Sequence, residues 1–372
     1  MLIGVPKETK VHEYRVGLTP DSAGEFVAHG HQVLVETNAG MGIGSADDDY
    51  RAVGAEIAAD AAEVFAKADM IVKVKEPLAP ERKMLREGQI LFTYLHLAPD
   101  PEQTKDLVAS GAVCVAYETV TDDKGGLPLL APMSQVAGRL SVQAGAAALE
   151  RAHGGAGILL GGVPGVPPAK VVVIGGGVVG ENAIYMAQGM AADVVVLDRN
   201  VDVLSHLARR FGPALTTVYS TRAAIEQYVL QADLVIGGVL VIGAAAPKLV
   251  TADHVKRMKP GSVLVDVAID QGGCFETSHA TTHEEPTYVV DEVVHYCVAN
   301  MPGAVPRTST YALNNVTLPY GLALADKGYK TALLDNPNFL KGLNVYRGRV
   351  THEAVARDLA YDYVAPEKAL AA

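Results

Sequence analysis

The chain has 372 residues, 49% of them hydrophobic, and a formal net charge of −11. That length suits about two domains, the acidic balance argues against nucleic acid as a partner, and no apolar run approaches the ~20 residues of a membrane span. The opening M-L-I-G-V-P-K-E reads as a strand followed by charge rather than a signal peptide, and the three cysteines (Cys114, Cys274, Cys297) show no metal-ligand spacing and cannot all pair, which fits a reducing cytoplasm.

From the N-terminus, apolar strands are predicted over Leu2–Val5, Gln32–Glu36, Met70–Lys75, Ile90–Leu95 and Ala112–Glu118. Helical patterns near 20–29, 61–68, 81–87 and 101–110 lie between them. Strands that alternate with helices imply parallel crossovers and a doubly wound sheet. A long helix pattern rich in small residues follows over Ser134–His153, and then G-G-V-P-G-V-P-P at 161–168, which is a loop. A second alternating block has strands near 171–174, 194–197, 216–219, 233–236, 262–267 and 295–298. Another long helix is predicted over Ser309–Lys327, and the tail from 331 to 361 reads helical. Cys114 and Cys297 sit in apolar strand-like runs and read as buried small hydrophobes.

The second block opens on the most informative segment. Val171 to Gly180 reads V-V-V-I-G-G-G-V-V-G: a buried strand runs into G-x-G-x-x-G (Gly175, Gly177, Gly180), and the later apolar run V-V-V-L ends in Asp198. In that context the glycines are a dinucleotide-binding fingerprint. Gly175 permits the tight turn, Gly177 lets the backbone approach a pyrophosphate, and Gly180 lets helix and strand pack closely. The helix N-terminus holds the phosphate charge. Asp198 would accept hydrogen bonds from the adenosine ribose and repel a 2′-phosphate, which favours NAD over NADP. The fold class is therefore α/β with two doubly wound domains linked by long helices. A Rossmann NAD-binding domain is expected at 129–305, and a discontinuous Rossmann-like or flavodoxin-like substrate domain at 1–128 plus 306–372.

Ligands of open α/β sheets bind outside the carboxyl ends of the strands. That rule selects Arg15, after the first strand; Lys75, ending M-I-V-K-V-K; His96, after I-L-F-T-Y-L; and Asp270, past S-V-L-V-D-V-A-I. Two cations, an imidazole and a carboxylate would converge on a cleft between the domains. Each has a plainer reading. Lys75 could be a solvated charge beside Glu76, with Lys73 on the same strand face; His96 could be a satisfied loop histidine; Arg15 is an ordinary loop arginine. Asp270 competes with Asp266, which lies within the strand and more simply serves structure or touches the cofactor. His283, Glu284 and Glu285 look like a ligand cluster but read better as a solvated loop, so no metal is expected.

Several segments together resemble the NAD-dependent alanine dehydrogenases. They are M-x-I-G-V-P-K-E…R-V-x-L-T-P, V-K-V-K-E-P, T-Y-L-H-L-A, A-P-M-S-Q-V-A-G-R, V-D-V-A-I-D-Q-G-G and V-A-N-M-P-G-A-V-P-R-T-S-T-Y-A-L-N-N. The resemblance covers nearly the whole chain. It implies an oxidoreductase acting on a CH–NH2 group: reversible oxidative deamination of L-alanine to pyruvate and ammonium with NAD. By that resemblance Arg15 and Lys75 bind the substrate, while His96 and Asp270 do acid–base work. The same resemblance assigns NAD to Ser134, the loop Gly175, Gly177, Val178, Val179 and Gly180, then Asp198, Ser220, Val239 and Leu240. It adds the segments Val267, Ala268, Ile269, Asp270 and Val298, Ala299, Asn300, Met301. Some relatives carry a basic residue where this chain has Val203, and Arg199 could compensate. The resemblance also implies a homohexamer, and the cysteines point to the cytoplasm. The alternative is an NAD(H)-binding transhydrogenase-type subunit without a substrate of its own, and a saccharopine-type dehydrogenase is a third reading.

Overall fold

The computed structural model describes residues 1–239 and 246–371 and resolves two compact units, Met1–Met133 with Val305–Ala372, and Ser134–Ala304. The chain leaves the first unit inside the helix Ala131–Ala148 and re-enters it just before the helix Pro306–Lys327. Among the described residues no helix is long and apolar enough to cross a membrane.

Numbered along the chain, the first unit holds β1 (Leu2–Val5), β2 (Gln32–Glu36), β3 (Glu56–Ala58), β4 (Met70–Val72), β5 (Ile90–Thr93) and β6 (Val113–Ala116). These lie parallel in the order β3-β2-β1-β4-β5-β6. That is the Rossmann order; the flavodoxin-like order also expected here is not adopted. Apart from the edge strand β3, these strands are apolar runs because helices cover both faces, so alternation gives no advantage. Leu34, Ile71, Leu91, Cys114 and Val345 pack in one buried cluster.

The second unit repeats the plan with β7 (Lys170–Ile174), β8 (Asp193–Asp198), β9 (Leu215–Tyr219), β10 (Leu234–Gly237), β11 (Val263–Asp266), β12 (Thr287–Val290) and β13 (Val293–Tyr296). The order is β12-β13-β11-β10-β7-β8-β9, with β12 antiparallel at the edge. The helix Val178–Gly189 follows β7 and starts at Gly177. Both units therefore have a switch point, between β1 and β4 in one and between β7 and β10 in the other, where strand order reverses and ligands bind.

The structure corrects several expected elements. The tail is not helical throughout: β14 (Leu343–Tyr346) and β15 (Arg349–Val350) form a hairpin that extends the first sheet beside β6. Its two-residue turn places Arg347 and Gly348 at φ 43° and 84°, the left-handed pair that matches strand twist. The missed strand β12 pairs with β13 through the same device, at Asp291 (φ 47°) and Glu292 (φ 63°), which also moves the last strand from 295–298 to Val293–Tyr296. The short strand β3 carries no apolar run and forms because β2 offers it an edge. The strands expected to reach Lys75, Leu95 and Glu118 end at Val72, Thr93 and Ala116. At β4 the cause is local: β1 turns away at Pro6, and the Glu8 carboxylate accepts the N–H groups of Val74 and Lys75 instead. The three cysteines are buried and unbridged, and burial pushes the Cys114 thiol up to about 12.

Candidate functional site

In the first unit, four neighbouring strands β1, β4, β5 and β6 are followed by Arg15, Lys75, His96 and Glu118 respectively. The loop carrying Arg15 is held against β4 at Gly17, where a Cβ would lie 2.3 Å from the Val72 carbonyl oxygen. The helix Pro306–Lys327 braces it from the other side. Thr19 N–H donates to Asn314 Oδ1 (2.9 Å), and Asn314 Nδ2 donates to the Gly17 carbonyl (3.1 Å).

Arg15 is buried, at 2% exposure. Its Nε and Nη2 donate to the two oxygens of Glu13 at 2.7 and 2.6 Å, and Nη1 lies 3.2 Å from Met133 Sδ. Burial works against the guanidinium charge, but the Glu13 fork outweighs it and raises the Arg15 pKa. Lys73 and Lys75 separate sharply. Lys73 is 1% exposed and donates to Glu8 Oε2 (3.0 Å) and Glu81 Oε1 (2.8 Å). Burial disfavours its charge, yet the two carboxylates hold its pKa above the ordinary lysine value. Burial raises Glu8, which shares that one ammonium with Glu81 and sits near Glu13. Lys75 is only partly buried and lies 3.5 Å from Glu76 Oε2. Glu76 also binds Lys10; burial alone would raise its pKa, but Lys75 and Lys10 together lower it.

His96 follows β5 in a left-handed conformation, φ 49°. Its ring stacks on Tyr94, with centroids 5.8 Å apart and planes 5° from parallel. The Tyr94 hydroxyl donates to the Leu129 carbonyl (2.6 Å), which fixes that ring in turn. The His96 N–H donates to Glu118 Oε1 at 2.6 Å, and Nδ1 stands 3.9 Å from the same oxygen. Burial lowers the pKa of His352, with Glu118 the chief opposing charge.

In the second unit the three glycines sit in different surroundings. Gly175 has φ 96°, and a Cβ there would meet the Gly238 carbonyl oxygen at 2.9 Å, so the ends of β7 and β10 touch. A Cβ on Gly180 would lie 1.8 Å from the Gly175 carbonyl oxygen, whereas one on Gly177 meets nothing within 4 Å. That open face at a helix N-terminus, flanked by Val178 and Val179, fits a pyrophosphate. Asp198 accepts the N–H groups of Gly176 (2.6 Å) and Asn200 (2.7 Å), tying the end of β8 to the loop. Ser220 is buried just past β9 and donates its N–H to the Asp198 carbonyl (2.9 Å). Ser134 lies one turn before Gly138, where a Cβ would come within 2.2 Å of the Val179 carbonyl oxygen. Val239 follows β10; Leu240 lies outside the described residues.

Past β11, Val267, Ala268, Ile269 and Asp270 form a 3-10 turn that ends at Gln271, with Asp270 exposed. Asp266 is fully buried; its carboxylate accepts from Ala268 N, Cys274 N, Phe275 N and Ser278 Oγ. It closes the loop that presents Asp270, the structural member of the two readings given for it. Val298, Ala299, Asn300 and Met301 follow β13, with Asn300 at φ 65° and Ala299 N–H donating to Thr281. His283 Nε2 lies 3.2 Å from the Asn300 carbonyl oxygen. Among the described residues no group of three or more His, Cys, Asp or Glu side chains is placed to hold a metal ion.

Glu13 and Glu118 were absent from the sequence-based site. Glu118 had a signal, since it ends V-C-V-A-Y-E at the next strand end in the row; Glu13 had none, because its partner is two residues away in a loop.

Family models described as "Alanine dehydrogenase/PNT, N-terminal domain" and "Alanine dehydrogenase/PNT, C-terminal domain" match residues 4–137 and 141–353. An alanine dehydrogenase of Halomonas elongata is 61% identical over 98% of this chain and 98% of its own. One from Bacillus subtilis is 56% identical over 100% and 98%. A solved L-alanine dehydrogenase matches with a TM-score of 0.94 at 54% identity, covering 97% of this chain and 99% of that one. A transhydrogenase from Sinorhizobium meliloti matches with a TM-score of 0.82 at 24% identity over 95% and 100% of the two chains, a likeness of fold alone.

Proposed function

We propose that this chain, which belongs to the alanine dehydrogenase/PNT family, catalyses the reversible oxidative deamination of L-alanine to pyruvate and ammonium with NAD as hydride acceptor. The observation that carries this is the row of strand ends: Arg15, Lys75 and His96 follow neighbouring strands β1, β4 and β5, and the glycine loop follows β7 in the other unit. The first unit is then the substrate-binding part and the second the cofactor-binding part. Full-length identity to alanine dehydrogenases supports this over a cofactor-binding subunit with no substrate of its own.

Arg15 and Lys75 hold the alanine carboxylate in a charge-assisted clamp that fixes the Cα–H direction. NAD, when bound, supplies the hydride acceptor; the glycine loop, Asp198, Ser220, Val239, Leu240, Ser134 and the segments 267–270 and 298–301 would hold it. Loss of hydride from Cα leaves iminopyruvate. His96 takes a proton from water as the oxygen bonds to the imine carbon, and Asp270 orients that water or the amine and exchanges a proton with it. Ammonia then leaves. The sum balances: alanine, NAD and water give pyruvate, ammonium, NADH and one proton. In reverse, Lys75 stabilises charge developing on the pyruvate oxygen.

NADH formation across a panel of L-amino acids, with NADP as control, tests substrate and cofactor together. Turnover with L-alanine and NAD is expected, and its absence refutes the assignment. Near-normal turnover in both His96→Ala and Asp270→Asn refutes the residue roles instead. The proposal extends to a homohexamer on family resemblance, which sedimentation velocity checks, and to the cytoplasm on the unpaired cysteines.

A further inference from the structure

His96 occupies a backbone region that histidine enters more readily than most residues but that still carries strain. Such strain persists where neighbours over-determine the geometry, and Glu118 supplies that constraint. Its carboxylate accepts the N–H of His96 at 2.6 Å and that of Leu95 at 3.2 Å, so both amides at the end of β5 converge on one side chain. The same Oε1 faces His96 Nδ1 at 3.9 Å, longer than a hydrogen bond but within reach of one small ring rotation. Catalytic hydrogen bonds often tighten in this way when substrate arrives.

We propose that Glu118 is the positioning residue for His96: it pins the left-handed backbone of residue 96 and takes the Nδ1–H, leaving Nε2 as the nitrogen that exchanges protons with substrate. This rests on the acid–base role assigned to His96. The logic is that of any imidazole whose tautomer is set by the partner of its other nitrogen. Tyr94 fixes the ring plane by stacking, and Glu118 decides which nitrogen carries the proton. A purely structural Glu118 would hold the turn and leave the tautomer unaffected.

Glu118→Gln separates the two roles, because the amide oxygen still accepts the backbone N–H groups while the charge facing Nδ1 is gone. In the full-length protein, kcat for L-alanine should fall about 10–100-fold with KM within about threefold of wild type, and Glu118→Asp should recover part of the loss. Long-range proton–nitrogen NMR should show His96 as the Nδ1–H tautomer in the wild type and a shift toward Nε2–H in Glu118→Gln. A wild-type His96 found as Nε2–H overturns the proposal whether or not the variant folds. So does wild-type kcat in Glu118→Gln while His96→Ala is inactive. If His96→Ala itself turns over normally, the role of His96 falls, and with it the proposal.

Discussion

Alanine substitutions at Gly177 and Gly180 should separate cofactor binding from folding. At Gly177 the backbone is extended (φ −68°, ψ −163°) and a Cβ meets no atom within 4 Å. Gly177→Ala therefore costs stability only through a poorer helix cap, about 1 kcal/mol or less, which is about 1 °C in melting temperature for a chain of this size. Its methyl would occupy the face assigned to the pyrophosphate and remove charge-assisted backbone contacts. Their loss is worth about 1.5–3 kcal/mol, or roughly 10–150-fold in affinity for NADH. At Gly180 a Cβ would lie 1.8 Å from the Gly175 carbonyl oxygen, so the helix Val178–Gly189 must retreat from β7. That overpacking costs about 1–3 kcal/mol, partly offset by about 1 kcal/mol of helix propensity. Thermal melting with calorimetric titration of NADH reads both quantities on the purified protein. Gly177→Ala should lose affinity with its melting point nearly intact, whereas Gly180→Ala should lose both. Binding of NADH by Gly177→Ala within about twofold of wild type would refute the phosphate-cradle assignment.

The two lysines of V-K-V-K should respond oppositely. Lys73→Met leaves Glu8 and Glu81 buried without their ammonium and should cost about 3–5 kcal/mol in urea unfolding, whereas Lys75→Met should cost under about 1 kcal/mol and abolish alanine oxidation. Equal destabilisation by the two would contradict the division. Asp198→Ala should raise the NADP-to-NAD ratio of kcat/KM by about tenfold or more, measured in steady state; an unchanged ratio argues that the carboxylate serves only the loop. Burial lowers the pKa of His295, held between the Val293 carbonyl and Thr277 Oγ1. The unfolded imidazole thus takes up a proton near its ordinary value of about 6.5 that the folded one refuses. Its contribution is present above that pH and is lost as pH falls toward the folded value, at up to about 1.4 kcal/mol per unit. Urea titrations in mildly acidic buffers should show that slope, and His295→Asn should flatten it.

The central strands of both sheets were legible in the sequence because they are buried on two faces and written as apolar runs, whereas β3, β12 and the β14–β15 hairpin at the sheet edges were not. The turn at Gly175 and the close packing at Gly180 were legible because each answers a steric demand that only glycine meets. What escaped was set by partners far along the chain or by turns without the usual residues. The hairpins at Arg347–Gly348 and Asp291–Glu292 use left-handed backbone, yet neither pair is an Asn-Gly or Asp-Gly signal. Lys73 and Lys75 look alike in V-K-V-K-E-P, and Glu8 and Glu81 distinguish them only in three dimensions. Asp266 and Asp270 could be ranked by position, but the donors that occupy Asp266 lie in the residues that follow it.

The charges at these strand ends fall into two kinds, and the distinction bears on catalysis. Glu13 with Arg15, and Glu8 and Glu81 with Lys73, are deeply buried, where a charge without its partner costs several kcal/mol. Their geometry is therefore fixed by the fold before any ligand arrives. Lys75 sits in a different balance: Glu76 is shared with Lys10, so its carboxylate keeps a cation when Lys75 turns to a substrate. On the roles proposed for them, Arg15 would be the fixed arm of the clamp and Lys75 the exchangeable one, a pairing able to orient a small carboxylate and then release its oxidised product. If both arms were buried as Arg15 is, the clamp would bind alanine and pyruvate alike and retain both. Tight binding shared by substrate and product lowers KM without speeding turnover.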